Sequence, residues 1–287
     1  MADAMKKRLE TARVILLALY ALTILAYVGA AVSVFFNTTV SLWLVNVTTV
    51  VYILVVRSVE KKYNKDYAKA NIRLGMENSL QPLTFATKGT LKKEDVMSSH
   101  LLPVRQETGG FVVGKELRGE HGNREVVISE VTTYYPKKVS QGRKVGFLTG
   151  LWIELAVPQA VSGFAYVDGG ILETGYDPKF YDAWEERITT GIPQDAVCCC
   201  TPVLPDGGRA LAKQLNRLTE QLRKRTGAVA IGIRNGKLTV FLPKRSFDMD
   251  VPIREPIRRE LLTVNPIPEL DCLFKNADAL AAALGNG

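Results

Sequence analysis

Three consecutive cysteines, Cys198-Cys199-Cys200, are the residues whose type is best suited to bind a metal ion or exchange electrons. Successive side chains of an extended strand point to opposite faces, so Cys198 and Cys200 share one face and Cys199 lies on the other. The thiols therefore do not converge on one ion, and only Cys272 is left as a further thiol ligand for zinc. We interpret the three as small apolar side chains in a buried strand. Acylation is a weaker alternative, because the cluster lies far along the chain from the apolar N-terminal segment.

Other side chains with catalytic potential are few. The chain has two histidines, and both His100, in a polar run, and His121, in a turn, are predicted to lie on the surface. Asp248 and Asp250 share one side of an extended segment, but without further oxygen ligands nearby they indicate an exposed loop. The sequence contains no nucleophile-elbow pattern, phosphate-binding glycine loop or zinc-protease helix. We therefore predict no catalytic, cofactor-binding or metal-ligating residue.

The N-terminal part of the chain is a long apolar segment. Within residues 12–56 the only charged residue is Arg13. A single helix over this segment would be about 68 Å long, whereas about 20 residues cross a hydrocarbon core of about 30 Å. The polar run Asn37-Thr38-Thr39 predicts the tip of a hairpin between two spans, over residues 12–36 and 40–56. A cleavable signal peptide is disfavoured, because the apolar region is too long and lacks a small-residue cleavage site.

Polar residues in the second span predict that the two spans pack against each other. Asn46, Thr48 and Thr49 can form hydrogen bonds with a partner helix. The first span offers small residues for close approach, namely Ala26, Gly29, Ala30 and Ser33.

The formal net charge of +8 is concentrated around the spans. Residues 1–75 contain ten Lys and Arg against four acids, a net charge of +6, and the remainder contributes only +2. Nucleic acid is not expected as a partner, because a nucleic-acid-binding protein would carry the excess on its globular part. Basic residues flank both spans and are absent from the tip, so the positive-inside rule predicts both termini in the cytoplasm. We expect Lys61, Lys62 and Lys65 to contact anionic lipids.

These patterns divide the chain into four regions. Residues 1–11 are predicted to be a cytosolic N-terminus and residues 12–57 the transmembrane hairpin. Residues 58–84 form a juxtamembrane region, for which a helix continuing the second span and a solvated connector fit the sequence equally well. Residues 85–287 are predicted to be a cytosolic domain.

Period-two alternation and tight turns predict an antiparallel sheet in this domain. Asn235-Gly236 is the strongest hairpin signal, and Glu120–Asn123 is a second predicted turn. Predicted strands cover residues 111–119, 124–135, 144–157 and 162–170, a short strand containing the three cysteines, and the two runs within residues 229–243.

Helices are inserted between these strands without regular alternation, which indicates an α+β domain with a mainly antiparallel sheet. Thr90 is the predicted N-cap of a helix over residues 91–98. A leucine stripe predicts a helix that ends at Gly227 as its C-cap. Further helices are predicted over residues 176–188, near 255–264 and over 268–284.

The order and spacing of these segments resemble the uncharacterised bacterial membrane-protein family DUF3137. The resemblance covers roughly residues 85–250. It is carried by TKGTLKKEDVMSSHLL, VISEVTTYYP, KVGFLTGLWIELAV with SGFAYV, YDPKFYDAWEERI, CTPVL and IGIRNGKLTVFLP. Members pair N-terminal membrane spans with a cytosolic domain, so the resemblance implies an α+β fold, membrane anchoring and a bacterial inner-membrane location. It implies no catalytic residue.

The sequence favours a membrane-anchored cytosolic module that binds or scaffolds a partner, either another protein or a second copy of itself. A well-patterned core without a convergent catalytic set is typical of such a module and not of an enzyme. Two alternatives stay open: a membrane-tethered enzyme whose site is assembled from sequence-distant residues, and a subunit of a larger membrane complex in which Asn46 faces a foreign helix. A deep pocket of titratable side chains would favour the enzyme, and a shallow or evenly charged surface the module.

Overall fold

The chain folds into two compact units. The computed structural model describes residues 2–77, 79–102, 110–139, 142–157, 163–172, 186–189, 191–201, 208–247 and 251–285. One unit, the helical unit, comprises Met1–Glu77 and Asp248–Pro266, and the other, the sheet unit, comprises Asn78–Phe247 and Ile267–Gly287. Residues 248–266, predicted to belong to the C-terminal domain, thus group with the N-terminal helices.

Two helices of the helical unit are long and apolar enough to cross a membrane. The first, α1, runs over Ala2–Ser33. The second is continuous over 39 residues and consists of α2 (Thr38–Val51), a π-helical turn (Tyr52–Val56) and α3 (Arg57–Met76). The predicted juxtamembrane region is therefore helical as far as Met76 and is not a solvated connector there, whereas residues 79–83 are not helical. Helix α3 buries one face through Tyr63, Tyr67 and Ala70 among others.

The hairpin tip lies in the predicted polar run. The side chain of Asn37 caps α2 by accepting hydrogen bonds from the backbone N–H groups of Thr39 and Val40, at 2.9 and 3.2 Å. The run contains three polar residues, but only Asn37 precedes the helix. Its cap geometry explains why Thr38 and Thr39 belong to α2.

The two apolar helices pack through fewer polar contacts than predicted. The Ser41 hydroxyl donates to the carbonyl of Ala30 at 2.6 Å, and the hydroxyls of Tyr27 and Thr49 lie 2.9 Å apart. The prediction for Gly29 was wrong, since no atom beyond its chain neighbours and its own helix backbone lies within 4 Å of a Cβ built there. Asn46 is exposed and donates to Leu42 of its own helix at 2.9 Å.

Residues 251–264, here called the strap, are held on α1 and α3 by side chains that bond to the strap backbone. The four side chains, each 2.9–3.3 Å from its partner atom, are Glu10, Arg13, Tyr63 and Asn71. Ile257 and Leu262 of the strap are buried in the same apolar cluster as Leu9 and Tyr67. The predicted helix near residues 255–264 is shorter, since only Arg259–Thr263 is helical (α7).

The sheet unit is α+β, with a nine-stranded sheet among the described residues in the order β1-β2-β3-β4-β9-β8-β5-β7-β6. Each pair of neighbouring strands is antiparallel. The strands are β1 (Thr84–Ala86), β2 (Phe111–His121), β3 (Arg124–Val139), β4 (Gly142–Ala156), β5 (Gly163–Val167), β6 (Glu186–Arg187), β7 (Val197–Thr201), β8 (Ala230–Arg234) and β9 (Lys237–Pro243). The helices are α4 (Lys93–Ser99), α5 (Gly169–Leu172), α6 (Arg209–Thr226) and α8 (Glu269–Gly285).

Both predicted hairpins are confirmed, although the second turn is shorter than predicted, since Glu120 and His121 belong to β2. Asn235 and Gly236 join β8 to β9 with φ of 52° and 72°, and Gly122 and Asn123 join β2 to β3 with φ of 55° and 62°. Two successive residues with positive φ match the right-handed twist of the flanking strands.

The core on one face of the sheet packs beneath α4. Val96 of α4, followed by Leu101 and Leu102, lies in one apolar cluster with Trp152 of β4 and Phe241 of β9. Helix α6 buries its predicted leucine stripe, ends at Gly227 with φ of 78°, and contacts α8.

Two helix predictions need correction. Lys92 and not Thr90 precedes α4, because Thr90 bonds to a carboxylate of β2 as described below. Of the predicted helix over residues 176–188, residues 176–185 lie outside the described residues, and Glu186 and Arg187 form β6.

Candidate functional site

A polar pocket lies on one face of the sheet, where β2, β3, β4 and β9 run side by side. Its volume is about 250 Å³. Strand register assembles it, because Val127 of β3 pairs with both Arg118 and Glu154, and Ala156 pairs with Lys237. Six of the lining residues carry charge: Asp95, Glu116, Arg118, Glu125, Glu154 and Lys237.

Glu116 is the most deeply buried carboxylate of the pocket. It accepts hydrogen bonds from the backbone N–H of Thr90 at 2.8 Å, from Nε of Arg118 at 2.8 Å and from the hydroxyl of Ser129 at 3.1 Å. Burial alone would raise the pKa of Glu116, but the hydrogen bonds from Arg118 and Thr90 outweigh it and hold the pKa below its usual value. Glu116 is therefore ionised at neutral pH and ties the chain at Thr90 to β2.

Glu154 forms a second ion pair in the pocket. One carboxylate oxygen accepts a hydrogen bond from Nε1 of Trp152 at 3.0 Å, and the other accepts from Nζ of Lys237 at 2.8 Å. The bond to Glu154 raises the pKa of Lys237. Because Trp152 is fully buried, it holds the carboxylate in place. The Lys237 side chain is 56% exposed, so this partner can turn toward a ligand.

The pocket presents charges of both signs in defined positions. Its buried carboxylates lie beneath two more exposed cations, Arg118 and Lys237. A general acid at neutral pH needs a raised carboxyl pKa, and the pKa of Glu116 shifts in the opposite direction. The volume lies below the roughly 300–1,000 Å³ of small-molecule sites. The arrangement suits recognition of one small charged group better than proton transfer.

The three cysteines occupy the buried strand predicted for them. Cys198, Cys199 and Cys200 lie in β7, pair with β5 and are each at most 1% exposed. Burial raises the pKa of Cys198 and of Cys199, which keeps these thiols protonated. Across the residues that the structure describes, no group of three His, Cys, Asp or Glu side chains is arranged to hold a metal ion.

The two histidines differ in their surroundings. His121 is exposed, as predicted, and its ring stacks on Phe274 with centroids 3.9 Å apart. The prediction for His100 was wrong, because this residue is half-buried at the C-terminus of α4. Burial and the nearby Arg234 lower the pKa of His100, so the ring is neutral at pH 7. Asp248 and Asp250 lie outside the described residues.

Asp168 is a second buried carboxylate, and sequence reasoning missed it. It follows β5, is fully buried, and lies 3.1 Å from Nε of Arg223 on α6. Burial raises the pKa of Asp168, and Arg223 and the backbone N–H of Val229 partly offset this shift. The pair joins α6 to the sheet. No local sequence pattern predicts this ion pair, because Asp168 and Arg223 lie far apart in the chain.

The helical unit contains a groove of about 520 Å³ between the N-terminal part of α1 and α3. Leu9, Ala12 and Tyr63 are among its apolar lining residues. Its charged lining residues are Arg8, Lys62, Lys69 and Arg73, with Asp66 as the acid. Of the three lysines predicted to contact lipid, Lys62 lines this groove, whereas Lys61 and Lys65 are exposed outside it.

Part of the pocket was visible in the sequence. Glu116 and Arg118 are two residues apart in a predicted strand and therefore share a face, which places two opposite charges side by side on one side of the strand. Glu154 on β4 and Lys237 on β9 have no comparable local signal in the sequence, because the pairing of these strands depends on the whole sheet.

A scan against protein-family models, a search of the curated proteins and a search of the solved structures each found no match to this chain. The resemblance to DUF3137 therefore stays a prediction from the sequence.

Proposed function

We propose that this chain is a two-span protein of the bacterial inner membrane whose sheet unit works in the cytosol as a binding module. The pocket around Glu116 and Glu154 is the observation that supports this proposal best. Both carboxylates are held by hydrogen-bond donors, and the cations that pair with them reach solvent. Such a pocket can recognise a charged group of a partner by exchanging one of its own ion pairs for a new one.

The surface of the two spans supports the membrane anchor. Large apolar side chains along both helices are exposed, including Leu25, Trp43 and Leu54 at 65%, 69% and 65%. Exposing this apolar surface to water is unfavourable, whereas exposing it to lipid is not. Basic residues lie before α1 enters its apolar part and along α3, and none lies at the tip. This asymmetry supports an orientation with both termini and the sheet unit in the cytosol.

We expect Lys237→Glu to reduce capture of the partner at least tenfold, because it places a like charge against Glu154. The fold should persist, since the Lys237 side chain is exposed. The measurement is an affinity pull-down of the C-terminally tagged full-length chain from detergent extract. The same tag also tests the proposed orientation of the chain. If the C-terminus lies in the cytosol, an antibody should reach the tag in inverted vesicles and not in intact spheroplasts.

Lys224→Glu is the matched control for this pull-down. Lys224 is likewise paired with a glutamate, Glu220 at 3.0 Å, but it lies on the exposed face of α6, outside the pocket. It should capture the partner as the wild type does. A wild-type chain that recovers no stoichiometric partner would contradict the proposal. Recovery of a ligand that the chain converts chemically would support the tethered enzyme instead.

Asn46 favours a second candidate, a subunit of a larger membrane complex. Its amide is exposed on the surface of α2 and bonds to its own helix, so in lipid it would gain from a partner on another helix, by roughly 0.5–2 kcal/mol. Asn46→Leu should therefore shift the chain to a smaller species on a native gel. Val47→Leu, at an exposed neighbouring position, should migrate like the wild type. Unchanged migration of Asn46→Leu would remove this candidate.

A further inference from the structure

The groove between α1 and α3 combines an apolar floor with a basic rim, and we infer that it binds one anionic phospholipid. The acyl chain lies on the floor and the phosphate lies among the cations of the rim. This inference goes beyond the binding function proposed for the sheet unit and shares with it only the membrane anchor.

The floor of the groove leads toward the spans. Leu9, Tyr63 and Ala70 are at most 3% exposed and close its base. Because α1 runs toward the hairpin tip and α3 runs away from it, Ile15 and Val59 lie at the end of the groove nearest the spans. An acyl chain that leaves the groove at this end enters the layer occupied by the apolar parts of the spans.

The rim of the groove is rich in cations. Arg8, Lys62, Lys69 and Arg73 are exposed, and within the described residues none of them forms an ion pair. With Asp66 the lining carries a net charge of +3. By contrast, the cations of the sheet-unit pocket are each paired with a carboxylate. Four cations around one groove repel each other, and a bound phosphate relieves this repulsion.

The shape of the groove selects a lipid and not a free phosphate. A free anion would satisfy the rim but leave the apolar floor in contact with water. A phospholipid satisfies both, since its phosphate meets the rim while its methylene groups cover the floor. The cations also lie beyond the end of the apolar segment, where the headgroups of the cytosolic leaflet are expected.

Native mass spectrometry of the full-length chain in an uncharged detergent tests the inference. The wild type should retain one phosphatidylglycerol and prefer it at least tenfold over phosphatidylcholine. Lys62→Gln combined with Lys69→Gln should reduce this retention at least tenfold. The matched control combines Lys61→Gln with Lys65→Gln, which removes the same charge from the same helix outside the groove. It should stay within twofold of the wild type.

Three results would overturn the inference. If both double variants lost phosphatidylglycerol equally, the lipid would be held by diffuse attraction to a basic helix and not by the groove. Displacement of the lipid by inorganic phosphate or by glycerophosphoglycerol, the headgroup without acyl chains, would assign the rim to a soluble anion. If the wild type retained phosphatidylcholine as well as phosphatidylglycerol, the cations of the rim would play no part in selecting the lipid. Partner capture through the Lys237 pocket is measured separately, so either proposal can fail while the other stands.

Discussion

Glu116→Gln is expected to lower the free energy of unfolding of the sheet unit by about 2–3 kcal/mol at pH 7. The buried carboxylate accepts charge-assisted hydrogen bonds from Arg118, from the Thr90 N–H and from the Ser129 hydroxyl. A glutamine loses the charge and turns an N–H₂ group toward one of these donors. Hydrogen exchange of the β2 and β3 amides, followed in the full-length chain through a urea series, measures the loss.

The same substitution should remove a pH dependence. Burial raises the pKa of Glu116, but its hydrogen bonds lower the pKa by more than burial raises it. The net pKa in the folded chain is therefore below the unfolded value, and the folded chain binds the proton less well than the unfolded chain does. The stabilisation is therefore fully present above the unfolded pKa of about 4.3 and is lost as the pH falls through the lower folded value. The wild type and Glu116→Gln should differ most at pH 7 and converge toward pH 3.

Glu125→Gln provides the control within the same pocket. Glu125 is 64% exposed and lies 3.7 Å from Arg118, so its loss should change the free energy of unfolding by less than about 0.5 kcal/mol. If Glu116→Gln were as destabilising at pH 3 as at pH 7, packing and not the charge of Glu116 would account for its contribution.

Gly75→Ala should detach the strap from α3. A Cβ at residue 75 would lie 2.3 Å from the carbonyl oxygen of Val264 and 3.0 Å from the side chain of Pro266. A backbone oxygen has no rotamer into which it can move, so the strap itself must shift and the hydrogen bonds from Asn71 to the strap must lengthen. The expected cost is about 1–3 kcal/mol. Hydrogen exchange of residues 251–264 should then accelerate about tenfold or more.

Gly29→Ala is the matched control for the strap. Both glycines lie inside helices of the helical unit, and alanine gains about 1 kcal/mol of helix propensity over glycine at either position. At Gly29 no atom beyond its chain neighbours and its own helix backbone lies within 4 Å of the added Cβ, so only the gain in helix propensity remains. Strap exchange should stay at the wild-type rate. Unchanged exchange in Gly75→Ala as well would mean that the strap does not need the close approach at Gly75.

The features that the sequence predicted are those with local causes. The hairpin tip follows from one residue, because the Asn37 side chain satisfies backbone N–H groups only two and three residues ahead. The turn at Asn235 and Gly236 follows from two residues that tolerate positive φ. The leucine stripe of α6 depends on the helical repeat alone. In each case the atoms that decide the structure lie within a few residues of each other.

Thr90 illustrates where local reasoning fails. Its hydroxyl type and its place before a helical pattern favour an N-cap, yet its N–H and hydroxyl both bond to Glu116. The buried carboxylate of Glu116 needs these donors, because water does not reach it. The backbone N–H groups at the N-terminus of α4 can bond to water instead of to the Thr90 side chain. The competition is decided only once β2 and the Thr90 loop come together, and the sequence around Thr90 contains no sign of it.

By itself, the sequence determined the two long apolar helices, the break between them, the strand and hairpin pattern of an α+β domain, and the burial of the three cysteines. The tertiary structure alone decided which strands meet around Glu154 and Lys237, which lysine of α3 lines the groove, and where the strap lies. The strap is held largely through its backbone, by side chains such as Asn71 and Arg13 on distant helices. Every residue offers the same backbone carbonyl, so such contacts leave no trace in the residues of the strap itself.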